Sequence, residues 1–215
     1  MGPSNEEMVM RKTGFLLVYM TILSLTCVLF ACDRDKKTTQ PSKLFRIVQN
    51  NKYGYIDKGG KIIIPPQFDH ADDFSEGLAP VNVGGSPDKN GVLSGGKWGY
   101  IDPTGKYVIN LQFNEAGHFS EGLAEVRIDE KYGFIDKTGK IVIPPQFDDV
   151  WSFSEGLARV NLGKKYGYID NTGKIVITPR FDEAGDFSEG LAMVMIGDKL
   201  GYIDKTGKFI WGPAK

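Results

Sequence analysis

The sequence predicts an all-β protein made of tandem 34-residue repeats, each a three-stranded antiparallel meander. Three observations predict it. The decapeptide KYGFIDKTGK at 131–140 recurs as KYGYIDKGGK from Lys52, KWGYIDPTGK from Lys97, KYGYIDNTGK from Lys165 and KLGYIDKTGK from Lys199. The last three spacings are each 34 residues and the first is 45, which places 11 extra residues inside the first repeat. Each full copy also carries a short β-branched stretch such as Ile141-Val142-Ile143, bounded by turn residues. Helical tetratricopeptide repeats share the 34-residue period. Paired prolines after two of the triplets (Pro65-Pro66, Pro144-Pro145) argue against helix, because proline removes an amide donor and clashes with the preceding turn.

In chain order, residues 1–32 form a secretory leader with a helical signal segment. Arg11-Lys12 precede an uncharged, mostly apolar run from Gly14 to Ala31, and Leu29-Phe30-Ala31-Cys32 ends it like a lipobox. Cys32 is the expected lipidation site and mature N-terminus. The rival is an uncleaved anchor, since 18 residues just reach spanning length. Met8 and Met10 are alternative starts. Residues 33–43 (DRDKKTTQPSK) are polar and contain proline, as expected of a tether. With Cys27 inside the leader, a domain exported this way holds no disulfide and depends on its packed core.

The repeat domain is expected over 44–215, with repeats starting near 52, 97, 131, 165 and 199. Leu44–Val48 supplies its first strand. The unit at 122–155 shows the pattern in full. Leu123–Ile128 alternates Leu123, Glu125 and Arg127 with Ala124, Val126 and Ile128 on the opposite face. Asp129-Glu130 connects it to Lys131–Asp136. Asp136-Lys137-Thr138-Gly139-Lys140 reads as a type I turn with a glycine bulge, since Asp favours the first turn position and Gly accepts positive φ. Ile141–Ile143 is the third strand, ended by Pro144-Pro145. The linker 146–155 has apolar residues at Phe147, Val150 and Phe153, which fits either one helical turn or a packed coil. Lys199–Trp211 supplies only the last two strands of a unit. The two ends are thus complementary partial units, which either cap an open, twisted array or meet in a propeller-like ring. The identical F-S-E-G-L-A linkers favour the open array.

The aromatic-Gly pairs Tyr53-Gly54, Trp98-Gly99, Tyr132-Gly133 and Tyr166-Gly167 resemble the bacterial WG-repeat family, also called KWG repeats. So do the following Tyr/Phe-Ile-Asp and the F-S-E-G-L-A linkers at 74–79, 119–124, 153–158 and 187–192. The resemblance covers residues 52–208 and departs at Leu200, where the aromatic belongs. It implies a β-repeat binding or scaffolding region and supplies no catalytic residues.

Composition narrows function mainly by exclusion. The net charge is −1 with both signs interleaved, so no basic field exists to neutralise nucleic-acid phosphates. No phosphate loop and no zinc-type Cys/His spacing is present, and no cofactor or metal is expected. Two acidic columns recur: Asp57, Asp102, Asp136, Asp170 and Asp204 before the turns, and Glu76, Glu121, Glu155 and Glu189 in Ser-Glu-Gly. Stacked carboxylates attract calcium, yet a calcium loop packs its acids into one short segment, so turn formation is the better account. His70 and His118 fall in columns that hold other polar residues (Glu115, Asp149 and Glu183; Asp73, Ser152 and Asp186), so both are expected in solvent. The aromatics two apart on one strand, such as Tyr53 and Tyr55, are expected to form core rather than an exposed ligand ladder. The glycine-rich insertion from Gly84 to Gly96 is expected to be mobile, and to carry specificity as the one feature that breaks the repeat.

The expected function is a non-enzymatic, membrane-anchored lipoprotein of the cell envelope. Its β-repeat surface binds or scaffolds an unknown protein or glycan. The alternative is an envelope enzyme acting on glycan or peptide through an acidic pair.

Overall fold

The structure, a computed structural model, describes residues 43–87, 89 and 93–212. The leader, Cys32 and nearly all of the expected tether lie outside them. The described chain is all-β, in five antiparallel sheets that follow one another along the sequence.

Sheet 1 contains β1 (Phe45–Gln49), β2 (Lys52–Ile56) and β3 (Ile62–Phe68). Sheet 2 contains β4 (His70–Ala71), β5 (Ala79–Pro87), β6 (Leu93–Ile101) and β7 (Tyr107–Phe113). Sheet 3 contains β8 (Glu115–Ala116), β9 (Leu123–Ile128), β10 (Lys131–Asp136) and β11 (Ile141–Phe147). Sheet 4 contains β12 (Asp149–Val150), β13 (Ala158–Leu162), β14 (Lys165–Ile169) and β15 (Ile175–Phe181). Sheet 5 contains β16 (Glu183–Ala184), β17 (Leu191–Ile196), β18 (Lys199–Asp204) and β19 (Phe209–Trp211).

The expected meander is present in every sheet, and the linker adds to it. Neither a helical turn nor plain coil, the linker begins with a two-residue strand that pairs with the next sheet, as Asp149↔Asn161 and Val150↔Val160. It then folds through Ser-Glu-Gly. Ser154 and Leu157 exchange both backbone hydrogen bonds, at 2.9 and 3.2 Å, across Glu155 and Gly156. Those two residues have φ of 52° and 85°, as a type I′ turn requires.

One expectation about the third strand is corrected. Pro144-Pro145 does not end it, because β11 runs on to Phe147. Tyr132 pairs with Phe147 and Phe134 with Ile143, so Pro144, Pro145 and Gln146 bulge opposite the single residue Gly133. A bulge frees backbone groups from the ladder, which is where a sheet tolerates proline. The turn after β10 forms as its sequence dictates. Gly139 donates to the Asp136 carbonyl at 2.9 Å, and Asp136 Oδ1 accepts from the amides of Thr138 and Lys140.

Four apolar clusters fill the four spaces between successive sheets. Between sheets 3 and 4, Leu123, Phe134, Ile143 and Phe147 meet Ala158, Val160 and Ile169, with Phe153 of the linker wedged beside them. Phe134 and Phe153 stand 4.9 Å apart, and the same pairing recurs as Tyr100–Phe119 and Tyr168–Phe187. Each such ring, fully buried, contributes about 2 kcal/mol. Tyr55, Tyr100, Phe134 and Tyr168 are therefore core, as expected, although each packs on a linker phenylalanine rather than on the equivalent ring of the next repeat. The aromatic column two residues earlier is core only at Trp98, with Tyr53, Tyr132 and Tyr166 half-buried, and Tyr202 on the last sheet is exposed. The array is open, since the outer faces of sheets 1 and 5 are both exposed.

Candidate functional site

The acidic columns are occupied by structural work. Oδ1 of Asp102, Asp136, Asp170 and Asp204 accepts from the threonine two residues on, through its amide and its hydroxyl. Those bonds hold the four carboxyls below the usual range, the threonine hydroxyl being the largest cause. Three of the Ser-Glu-Gly glutamates, Glu76, Glu121 and Glu155, tie sheets 2, 3 and 4 each to the next. Glu121 accepts from the Gly156 amide and Glu155 from that of Gly190, both at 2.9 Å. Glu76 and Glu155 also pair with Lys137 and Lys205, at 2.9 and 3.1 Å. Serine completes the joint, with Ser120 donating to the Phe153 carbonyl and Ser154 to that of Phe187, at 2.8 Å.

Glu125 is a carboxyl in largely buried surroundings. Ser152 Oγ donates to it at 3.2 Å, and burial pushes its carboxyl above the ordinary range. His118, half-buried nearby, favours its charged form, while Asp186 opposes it. No second carboxylate shares its hydrogen bonds among the described residues.

The regular array breaks at the first repeat, and there the structure differs most from expectation. The described flanks of the insertion prolong β5 and β6, pairing Gly85 with Gly95, Ser86 with Ser94 and Pro87 with Leu93. Asn82 holds this paired base together. This side chain is fully buried, accepts from the Gly85 amide at 3.1 Å and donates to the Gly95 carbonyl at 3.3 Å. Gly96 has φ of 71°, and a β-carbon on it would stand 2.6 Å from Asn82 Oδ1. Glycine is required on both counts.

The prolonged hairpin and the β1–β2 turn enclose an open cavity of about 330 Å³. Its apolar walls are Val48, Pro87 and Leu93, and Tyr53 and His70 face it together with Asp69 and Asn51. Asp69 is held as a scaffold group, bonded to Lys52 Nζ at 2.6 Å and to the Gly84 amide at 2.9 Å. The lysine hydrogen bond keeps its carboxyl below the ordinary range. His70 is not in solvent as expected. Its ring lies 4.9 Å from Tyr53 and 5.5 Å from Trp98, and its Nδ1 is buried without a hydrogen-bond partner among the described residues. The equivalent Glu115 is engaged instead by Tyr132 and Arg127. Tyr53 and the apolar walls suit a ligand with an apolar face, and Asn51 and Asp69 line the same cavity with polar groups. No local pattern indicates that Tyr53 and His70 meet the insertion. The one available signal was His70 standing in an otherwise acidic column beside the longest repeat.

The WG containing repeat family matches residues 53–86, 98–132, 132–166 and 166–199. None of the curated proteins compared with the sequence matches it. Among solved structures, the chain is similar to the crystal structure of a eukaryotic initiation factor, at 14% identity and a TM-score of 0.51. That similarity covers 79% of this chain and 52% of the other, so the chain spans about half the length of that protein, and it bears on the fold alone. Weaker likenesses are to the computationally designed Ika4 protein (10% identity, TM-score 0.42, 61% of this chain and 87% of that one). A protein of unknown function from Bacteroides caccae also matches, at 13% identity and a TM-score of 0.35, over 79% of this chain and 77% of that one.

Proposed function

The chain belongs to the WG containing repeat family, and we propose that it is a non-enzymatic binding module anchored to a bacterial envelope membrane by a lipid on Cys32. The observation that carries the binding role is the cavity at the first repeat. It lies at the one break in the repeat pattern, with Tyr53 beside it and the buried Nδ1 of His70 unpartnered. The remaining sheets form the rigid body on which that cavity is held. The ligand class is an envelope glycan or peptide whose flat face lies on Tyr53 and the His70 ring and whose polar edge meets Asn51. A non-enzymatic role is supported by the engagement of the acidic columns in turns and inter-sheet bonds, which leaves them no distinguished acid–base pair.

The test is titration of the purified full chain in detergent with cell-wall glycan fragments and, separately, with short peptides. Fluorescence of Trp98, adjacent to His70, should change and saturate with one class. His70→Ala should abolish that change while leaving the fold intact, and Trp98→Phe should remove the signal but not the binding. A flat response to both classes would reject the cavity as the binding site. The anchor is tested apart from this, by metabolic fatty-acid labelling, which Cys32→Ala should eliminate. An unchanged label in that variant would leave the leader as a simple membrane anchor.

A further inference from the structure

Among the described residues, sheets 1 and 5 each leave one face uncovered, and the two faces are the two halves of the joint that recurs inside the chain. Inside the array, each joint opposes a leucine, an aromatic and an isoleucine of one sheet to an alanine, a valine and an isoleucine of the next. On sheet 5 the first set is present and open. Tyr202 is 39% exposed where Tyr100, Phe134 and Tyr168 are 0%, and Trp211 is 61% exposed where Ile143 is 1%. Leu191 and Met193 extend the same exposed face. On sheet 1 the second set is exposed at Phe45 and half-buried at Ile47 and Ile56, where its internal counterparts are fully buried.

The differences between these end faces and the internal ones are complementary. Internally a linker phenylalanine, such as Phe153, fills the space over a small alanine, Ala158. Sheet 5 has no linker phenylalanine beyond it among the described residues. Sheet 1 carries Phe45 where the other sheets carry Ala79, Ala124, Ala158 and Ala192, so the missing ring is supplied from the opposite side. Charge agrees as well. Glu76–Lys137 and Glu155–Lys205 join the Ser-Glu-Gly turn of one sheet to the Asp-Lys turn of the next. By the same register, Glu189 of sheet 5 answers Lys58 of sheet 1, and neither has an ion-pair partner among the described residues.

We infer that copies of this chain associate head to tail, the sheet 5 face of one copy seating on the sheet 1 face of the next. The junction continues the internal joint, with Phe45 packed on Tyr202 and Trp211, and Glu189 paired with Lys58. Such a heterologous interface does not use itself up on pairing. It propagates into a filament or a closed ring of several copies. The inference is independent of the cavity and of the lipid.

The experiment is sedimentation velocity on the full chain in detergent, with Phe45→Asp and Tyr202→Asp as blocking variants. Each blocks one face at an exposed position and leaves the other intact. Wild type should show a mass that grows with concentration through dimers and higher oligomers. Each variant alone should associate at least tenfold more weakly, and an equimolar mixture should stop at the dimer, since only one productive junction remains. Circular dichroism checks that both variants fold. Should either fail to fold, Glu189→Lys and Lys58→Glu replace them, with each weakened alone and longer oligomers restored on mixing. A wild type that stays monomeric at all concentrations would overturn the inference and point to faces covered within one chain. Association unchanged in every variant would overturn it too, because it would arise from the leader.

Discussion

Gly133 lies directly beneath Pro145: a β-carbon on Gly133 would stand 2.8 Å from the proline nitrogen. The same crossing recurs at Gly54, Gly99 and Gly167, each under the segment that bulges from the third strand. The glycine that follows the aromatic in every repeat is thus explained by backbone, not by a neighbouring ring. Gly133→Val should destabilise by about 3 kcal/mol through overpacking, despite the higher strand propensity of valine. Urea denaturation measures it. At Gly201 it is the Gly212 backbone that lies close, a β-carbon on Gly212 standing 2.4 Å from the Gly201 Cα, so the matching change there should cost a similar amount.

The inter-sheet serines should each matter modestly. Ser120→Ala removes the 2.8 Å bond to the Phe153 carbonyl and should cost about 1 kcal/mol, read as a lowered urea midpoint with an unchanged slope.

Acid should weaken the fold through the turn aspartates. Their folded pKa values lie below the ordinary 3.8, so they bind protons more readily when unfolded. Stability from them is fully present above that value and is lost as pH falls through the lower folded values. The melting temperature should hold constant near neutrality and begin to fall below about pH 4–5. Thr138→Val, which deletes one hydroxyl bond to Asp136, should flatten part of that fall.

Glu125 should act in the opposite direction. Burial raises its folded pKa above the ordinary 4.5, so ionisation costs stability as pH rises through that range. Glu125→Gln should therefore be more stable than wild type at pH 7, with the difference shrinking as pH approaches 4. A constant difference across that range would show that the carboxyl does not titrate as its surroundings require.

Much of the fold was legible because the repeats state it five times. The alternation in Leu123–Ile128, the Asp136–Gly139 turn and the burial of Phe134 follow from local patterns read against the same period. What escaped was nonlocal. Pro144-Pro145 reads as a strand end in isolation, and only its placement over Gly133 turns it into a bulge within a continuing strand. The short pairing of Asp149 and Val150 escaped for the same reason, since two residues carry no periodicity. The insertion reads as mobile because it is rich in glycine. The strand pairing at its base depends on the buried Asn82, whose side chain reaches Gly85 and Gly95. His70 was legible only as one polar residue in a polar column. Its burial between Tyr53 and Trp98 depends on two separate sheets meeting.

The sheets form an open array in which each packs on its sequence neighbours. Deleting residues 199–215 tests it most directly, because it removes β18 and β19 while leaving the joints among sheets 1 to 4 intact. Thermal denaturation of the truncated chain should show a lower melting temperature with a cooperative transition and native β circular dichroism. Complete unfolding of the truncation would contradict the open array, since only a ring closed through the last sheet would need it to stand.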